Sequence, residues 1–191
     1  MKIIVDIDGC INDLVDKTLA MYNAETNKNI QVSDIVSYNF YYCLPKEDAE
    51  GICKLFKRKE LWNSLSPAHN SQVGLKTLID RGHKVYLATA TDPCNFSYKI
   101  DWLKQYFPFI SSDNVIRIMD KSLLNTDVLI DDCLDNLTKG IFERIVIDHP
   151  WNRDSSKDYA YDIHRAYDFK DVVSIIDEIE RRDKEWEMSN L

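Results

Sequence analysis

Glycine is scarce in this chain: 191 residues include only five. None of the five falls in a GxGxxG or Walker A spacing, so no glycine-rich cradle for a dinucleotide or a triphosphate can be read. No apolar run reaches membrane-spanning length, and the N-terminus opens directly on a strand-like segment rather than on a leader. The expectation is no membrane partner and a cytoplasmic location. The five cysteines, Cys10, Cys43, Cys53, Cys94 and Cys133, show no CxxC or Cys/His ligand spacing. That argues against a structural zinc site and a disulfide framework, and it fits free thiols in a reducing compartment. Internal repeats and low-complexity segments are absent. Basic residues number 24 against 32 acidic ones, a formal charge of −8. Such a chain repels a phosphate backbone, which argues against a duplex nucleic-acid partner. A small phosphorylated ligand stays compatible, because local cations and a metal dominate the field of a site. The length suits one domain, or a core with a small insert, and a homodimer is compatible with it.

What the chain does have begins at its first residues, Met-Lys-Ile-Ile-Val-Asp6-Ile-Asp8-Gly9. Lys2 to Val5 read as a short buried strand. Residues i and i+2 at a strand end point the same way. Asp6 and Asp8 therefore aim into one crevice beyond the carboxyl end of the strand, where open α/β sheets place their ligands. Two clustered carboxylates repel unless a positive group lies between them, and a hard divalent cation such as Mg²⁺ suits their oxygens.

Further strands are expected near 84–89, 115–118, 127–131 and 143–148, alternating with helical patterns. That alternation predicts an α/β fold, a Rossmann-like parallel sheet with helices on both faces. Leu75, Leu78 and Ile79 form one helical stripe, stopped by Gly82. Phe96, Ile100, Leu103 and Phe107 suggest another, ended by Pro108; Val172, Ile175, Ile176 and Ile179 form the last. Residues from about 181 onward are polar and are expected to fray. The stretch 15–69 is far longer than a βα loop needs. Val15, Leu19 and Tyr22, then Ile52, Leu55 and Phe56, have helical spacing, with the aromatic run 38–42 between them. The expected organisation is a core of 1–14 and 70–191 with a small α-helical cap, 15–69, inserted after the first strand.

The strand ends carry polar residues of complementary type: Asp6 and Asp8, then Thr89, then Lys121 beyond the third strand, then Asp131-Asp132. Each has an ordinary reading alone. Thr89 would be a strand-end residue, Lys121 a solvated charge, and the acid pair a cap for a helix beginning near Leu134. Their joint order is what carries chemistry. In that order they resemble the four motifs of the haloacid dehalogenase superfamily of phosphohydrolases. The segments Ile11-Asn12-Asp13-Leu14, Leu129-Ile130-Asp131-Asp132 and His149-Pro150-Trp151-Asn152-Arg153 further resemble the 5′(3′)-deoxyribonucleotidase, or cytosolic type C 5′-nucleotidase, branch.

The resemblance implies a phosphatase for nucleoside monophosphates, in particular deoxyribonucleotides. It implies Asp6 as nucleophile and Asp8 as general acid and then base, two roles that need carboxylates of different pKa. Mg²⁺ would be held by Asp6, the carbonyl of Asp8 and the acid pair. Asp132 is favoured within that pair, though Asp131 is not separated from it by sequence. Thr89 would donate to the phosphate, and Lys121 would contact both phosphate and Asp6. Where the branch often has serine, Ala90 stands here, so one donor is missing unless Thr91 substitutes. Leu14, Phe40, Tyr41 and Phe56 match positions that build an apolar base pocket; the alternative is that they are simply the core of the cap. Trp62 is expected to pack, Asp13 to lie at the cap hinge or cap a helix, and Asn152 and Arg153 to lie near the site or anchor a loop. The histidines receive no role.

Other functions fit less of the pattern. A phosphatase for another small phosphomonoester, such as a sugar phosphate, would use the same chemistry. A receiver-type phospho-acceptor module has the same residue types, but its acid pair follows the first strand and its acceptor a middle one, the reverse of the order here. A catalytically silent nucleotide binder finds no support, since no motif position is lost.

Overall fold

The computed structural model describes residues 1–153 and 155–189. The strands are β1 (Lys2–Asp6), β2 (Lys84–Thr89), β3 (Val115–Arg117), β4 (Val128–Asp131), β5 (Glu143–Ile147) and β6 (Ile163–Ala166). They form one sheet in the order β3-β2-β1-β4-β5-β6, and every neighbouring pair is parallel. Side-chain alternation along β1 divides the core between two layers. Ile3 and Val5 join the larger cluster, with Leu75, Leu78, Phe169 and Ile176 of the helices on that side. Ile4 points the other way, into a smaller cluster with Leu129, Leu134 and Phe142.

The long segment after β1 is helical, as expected. It contains α1 (Leu14–Thr26), α2 (Lys46–Leu55) and α3 (Lys59–Ser64), with 3₁₀ turns at Val32–Asp34 and Phe40–Tyr42. Its two connections to the sheet pair with each other. The amide of Asp13 donates to the Ser66 carbonyl at 3.2 Å and that of Ala68 to the Ile11 carbonyl at 2.9 Å. The Asp13 carboxylate accepts the Ser66 amide at 2.7 Å and makes no capping bond to α1. Asp13 stands at the N-cap position of α1, but its carboxylate ties the two connections together instead of capping the helix.

The chain then continues through α4 (Ser71–Asp80), α5 (Pro93–Tyr106), α6 (Leu134–Leu137), α7 (Ser155–Ala160) and α8 (Phe169–Ser189). Gly82, at φ +89°, turns the chain after α4 where a side chain would be strained. Three expectations need correction. β6 was not foreseen: Ile-His-Arg-Ala is too short and too polar for an apolar-run signal, and it forms the sheet edge beside β5. The tail does not fray from 181, because α8 stays helical to Ser189; residues 190–191 lie outside the described residues. The buried face of α5 is Asn95, Lys99, Trp102 and Leu103, while Phe96 and Ile100 are only half-buried. All five cysteines are free. Among the described residues no helix is long and apolar enough to cross a membrane.

Candidate active site

The sheet order explains why distant motifs meet. β1 lies between β2 and β4, and the register sets Asp6 beside Ala88 and Val5 beside Ile130. Thr89 and Asp131 therefore stand one residue on, to either side of Asp6. The chain changes direction across the sheet between β3 and β4, and the crevice at such a switch lies beyond the carboxyl ends of the strands. Lys121 enters it from the 3₁₀ turn Lys121–Leu123, which Asp120 caps by accepting the Ser122 amide at 3.0 Å.

Lys121 is fully buried and forms an ion pair with Asp6 and a second with Asp131, the latter at 2.5 Å. Burial opposes its charge, but the two carboxylates outweigh burial and hold the ammonium protonated. Burial pushes the Asp6 carboxyl up to about 7, against Lys121, with Asp131 and Asp8 adding to the rise. A cation beside Asp6 would reverse that rise.

The adjacent acids separate clearly. Both oxygens of Asp131 are engaged: Oδ1 accepts the Cys133 amide at 2.9 Å, and Oδ2 accepts Lys121, with the Asn136 amide group bridging both. Among the described residues the Asp132 carboxylate accepts only the Trp151 indole N–H, on Oδ2 at 3.0 Å, and its Oδ1 has no hydrogen bond. Ligand atoms of Asp6, Asp132 and Cys10 lie within 4.8 Å of one another. Asp131 is not one of these three; its oxygens hold Lys121 and the turn into α6. Burial and the carboxylates of Asp132 and Asp6 push the Cys10 thiol well up, so it stays neutral and is a poor donor. The anionic donors left are hard oxygens, which fit Mg²⁺.

Asp8 is held away from this cluster. Its Oδ1 accepts the Asn12 side-chain amide at 3.1 Å, and its Oδ2 binds the ammonium of Lys99. Lys99 is 1 % exposed, also donates to the Thr89 hydroxyl at 2.7 Å, and lies 5.1 Å from the ring centre of Trp62. Sequence reasoning missed Lys99. Asn95, Lys99 and Trp102 recur at i, i+4 and i+7, the spacing of a buried face, but two of the three are polar, so apolar periodicity pointed to the neighbouring stripe.

Above the carboxylates a cavity of about 550 Å³ opens between the strand ends and the helical insert. Leu14, Phe40 and Phe56 line it, with the two phenyl rings 6.1 Å apart. Tyr41 does not. The 3₁₀ turn places it one position past Phe40, with nearly half its surface in solvent. Tyr38, Trp62 and Trp151 contribute the further aromatic walls. Trp62 is therefore more than packing: it forms a wall and covers Lys99. Ala90 and Thr91 both line the cavity, so Thr91 supplies a hydroxyl close to the position where the alanine has none. Asn152 is buried and donates to the Asp132 carbonyl at 2.8 Å, whereas Arg153 pairs with Asp148 at the surface.

A parallel sheet with a helical insert after β1, and four strand ends converging on Asp6, defines a phosphohydrolase of the haloacid dehalogenase type. Solved structures share the fold. A haloacid dehalogenase-like family hydrolase from Streptococcus pneumoniae superposes with a TM-score of 0.64 at 13% identity, covering 92% of this chain and 97% of that one. A HAD family hydrolase from Deinococcus radiodurans superposes with a TM-score of 0.62 at 10% identity, covering 93% and 95%. The sequence profile of the family described as 5′ nucleotidase, deoxy (Pyrimidine), cytosolic type C protein matches residues 1–183, and the chain belongs to that family of phosphomonoester hydrolases. Its relatives include the 5′(3′)-deoxyribonucleotidase of Bacillus subtilis, 27% identical over 158 residues, or 81% of this chain and 89% of that protein. The 5′(3′)-deoxyribonucleotidase of Clostridium acetobutylicum is 26% identical over 153 residues, covering 80% and 84%.

Proposed function

We propose that the chain hydrolyses deoxyribonucleoside monophosphates through an aspartyl-phosphate on Asp6, with Mg²⁺ as the required ion. The observation that carries this reading is that Asp6, paired to Lys121, lies beside Asp132, which with Asp8 lines an aromatic cavity large enough for a nucleoside. The names of the two bacterial relatives point to the same substrate class.

Asp6 attacks phosphorus, and the bond from phosphorus to the ester oxygen breaks. The leaving alkoxide needs a proton, which Asp8 supplies as general acid. A water then attacks the phosphorus of the aspartyl-phosphate, Asp8 takes its proton, and Asp6 leaves as inorganic phosphate forms. Asn12 and Lys99 hold the Asp8 carboxyl clear of the Asp6 cluster, so that the two acids meet different environments and take different roles. Lys121 holds Asp6 in place and neutralises charge on the transferring group, while Thr89 and Thr91 offer hydroxyls to its oxygens. Asp6, the Asp8 carbonyl and Asp132 would hold Mg²⁺, which supplies charge neutralisation between an anionic nucleophile and an anionic phosphate. Leu14, Phe40 and Phe56 provide apolar faces for the base. The helical insert acts as the cap that closes this pocket.

The test is phosphate release from a panel of 5′- and 3′-nucleoside monophosphates and sugar phosphates, with Mg²⁺ or with EDTA, for the wild type and Asp6→Asn. The expected result is turnover of deoxyribonucleotides that EDTA and Asp6→Asn each abolish. Turnover that survives Asp6→Asn would rule out the assigned nucleophile, and a preference for sugar phosphates would rule out the base pocket.

A further inference from the structure

His149 received no role from sequence, yet it lies in a segment that grips the site from outside. The chain leaves β5 through Asp148 and His149 and turns at Pro150–Asn152. Trp151 and Asn152, consecutive residues, hold Asp132 at both ends: the indole N–H donates to Oδ2 at 3.0 Å, and the Asn152 side chain donates to the backbone carbonyl at 2.8 Å. The His149 ring stacks on Trp151, with centroids 4.1 Å apart and planes 8° off parallel. Its Nε2 lies 2.6 Å from the Gly9 carbonyl, so Nε2 carries the proton and donates.

Gly9 completes the box. It sits at φ +72°, and a Cβ there would lie 2.5 Å from Asp132 Oδ2. The backbone turn after Asp8 therefore closes against the same carboxylate oxygen that Trp151 binds. Behind this layer Arg165 of β6 fixes Asn152 twice, at its side-chain oxygen (2.8 Å) and its carbonyl (2.9 Å), and also pairs with Asp148. Oδ2 of Asp132 is thus enclosed by groups that are themselves immobilised, and Oδ1 is the oxygen left for a ligand.

We infer that Trp151, backed by His149, is a positioning residue for the metal: it fixes the rotation of the Asp132 carboxylate so that Oδ1 alone meets the cation. This rests on the reading of Asp132 as a metal ligand. The physical reason is preorganisation. A free carboxylate must give up its rotational freedom and choose between oxygens when a cation arrives, whereas this one is already oriented by a donor on its other oxygen. The indole also lines the substrate cavity, so phenylalanine at 151 keeps the wall and removes only the donor.

The experiment is Mn²⁺ binding to the purified full chain, followed by the EPR signal of free Mn²⁺, for wild type, Trp151→Phe and His149→Leu. Thermal midpoints in EDTA and the Mg²⁺ dependence of phosphate release accompany it. Trp151→Phe is expected to weaken Mn²⁺ about tenfold or more and to raise the Mg²⁺ needed for half-maximal turnover in proportion. The midpoint in EDTA stays near wild type while Mn²⁺ affinity falls, and raising Mg²⁺ narrows the gap in turnover, a split that general loosening of the fold would not produce. An unchanged or tighter Mn²⁺ affinity overturns the inference, as does lost turnover at saturating metal with unchanged affinity. If Trp151→Phe does not fold, His149→Leu, which removes the bond to Gly9 and the stacked imidazole, decides in the same way: weaker Mn²⁺ supports the inference and unchanged Mn²⁺ overturns it. A wild type that binds no Mn²⁺ and ignores EDTA would instead remove the metal role of Asp132 itself.

Discussion

The ammonium of Lys99 binds the carboxylate of Asp8 across 91 residues of sequence, and no other cation pairs with that acid among the described residues. With Asn12 on the other oxygen, Asp8 has one orientation, directed by a helix rather than by its own strand. The general acid of the proposed reaction is thereby set by α5, and Trp62 of the helical insert covers the same ammonium.

Lys99→Met should therefore lower kcat for nucleotides by up to about 10²-fold, the low end of what general acid catalysis contributes. The loss should be much smaller for an aryl phosphate with an acidic leaving group, because such a group departs without a proton. Steady-state rates on the two substrate types check this. An equal loss on both would show that Lys99 serves the fold or the phosphate rather than Asp8.

The two adjacent acids should fail differently. Asp132→Asn is expected to abolish tight Mn²⁺ binding with little change in the urea midpoint measured without metal. Asp131→Asn should keep Mn²⁺ affinity but lose a charged partner of Lys121, costing roughly 1.5–3 kcal/mol of stability. Isothermal calorimetry with Mn²⁺ and urea denaturation on both variants separate these outcomes. Reversed behaviour would mean that Asp131, not Asp132, is the ligand.

The aromatic wall gives a third contrast. Phe40→Ala removes a cavity face and should weaken nucleotide binding by about 1–3 kcal/mol if the ring stacks on the base. Tyr41→Ala, on the outer side of the same turn, should leave KM unchanged. Competitive binding of a non-hydrolysable nucleotide analogue to both variants is the measurement. Equal effects would place the base elsewhere.

The helical insert contains its own acid-sensitive link. Asp48 of α2 accepts the Tyr22 hydroxyl of α1 at 2.6 Å and the ammonium of Lys28. Hydrogen bonds from Lys28 and Tyr22 hold its carboxyl below the usual carboxylate range, against burial. A folded-state value below the unfolded one means that the contribution is complete above about pH 4 and is lost as pH falls through the depressed value. Asp48→Asn should cost about 1–2 kcal/mol at pH 7, and the gap from wild type should narrow at pH 3. Urea midpoints at the two pH values test it, and a gap that is constant with pH would contradict the assignment.

Much of the site was legible because its chemistry follows strand ends. Asp6, Thr89 and Asp131 end apolar runs, Asp8, Asp132 and Lys121 follow within a few residues of such ends, and the alternation of strands and helices places these ends together. Lys99, Trp151 and His149 were not legible for the opposite reason. They come from a helix face and a loop whose burial no periodicity marks, and their meaning lies in what they touch. Tyr41 illustrates the same limit: neighbours on a 3₁₀ turn point apart, so an aromatic run names a region without naming the ring that faces the cavity.

By itself the sequence determined the class of fold and marked the long helical stretch after the first strand and the polar residues at the strand ends. These depend on local pattern: period-2 apolar runs, helical stripes, and acids at the ends of strands. Only the tertiary structure decided which adjacent aspartate is free for a cation, which lysine holds Asp8, and which aromatic rings form the cavity. Those choices depend on hydrogen bonds and burial between residues far apart in the chain, and a carboxylate that is already saturated cannot be told from a free one until its partners are in place.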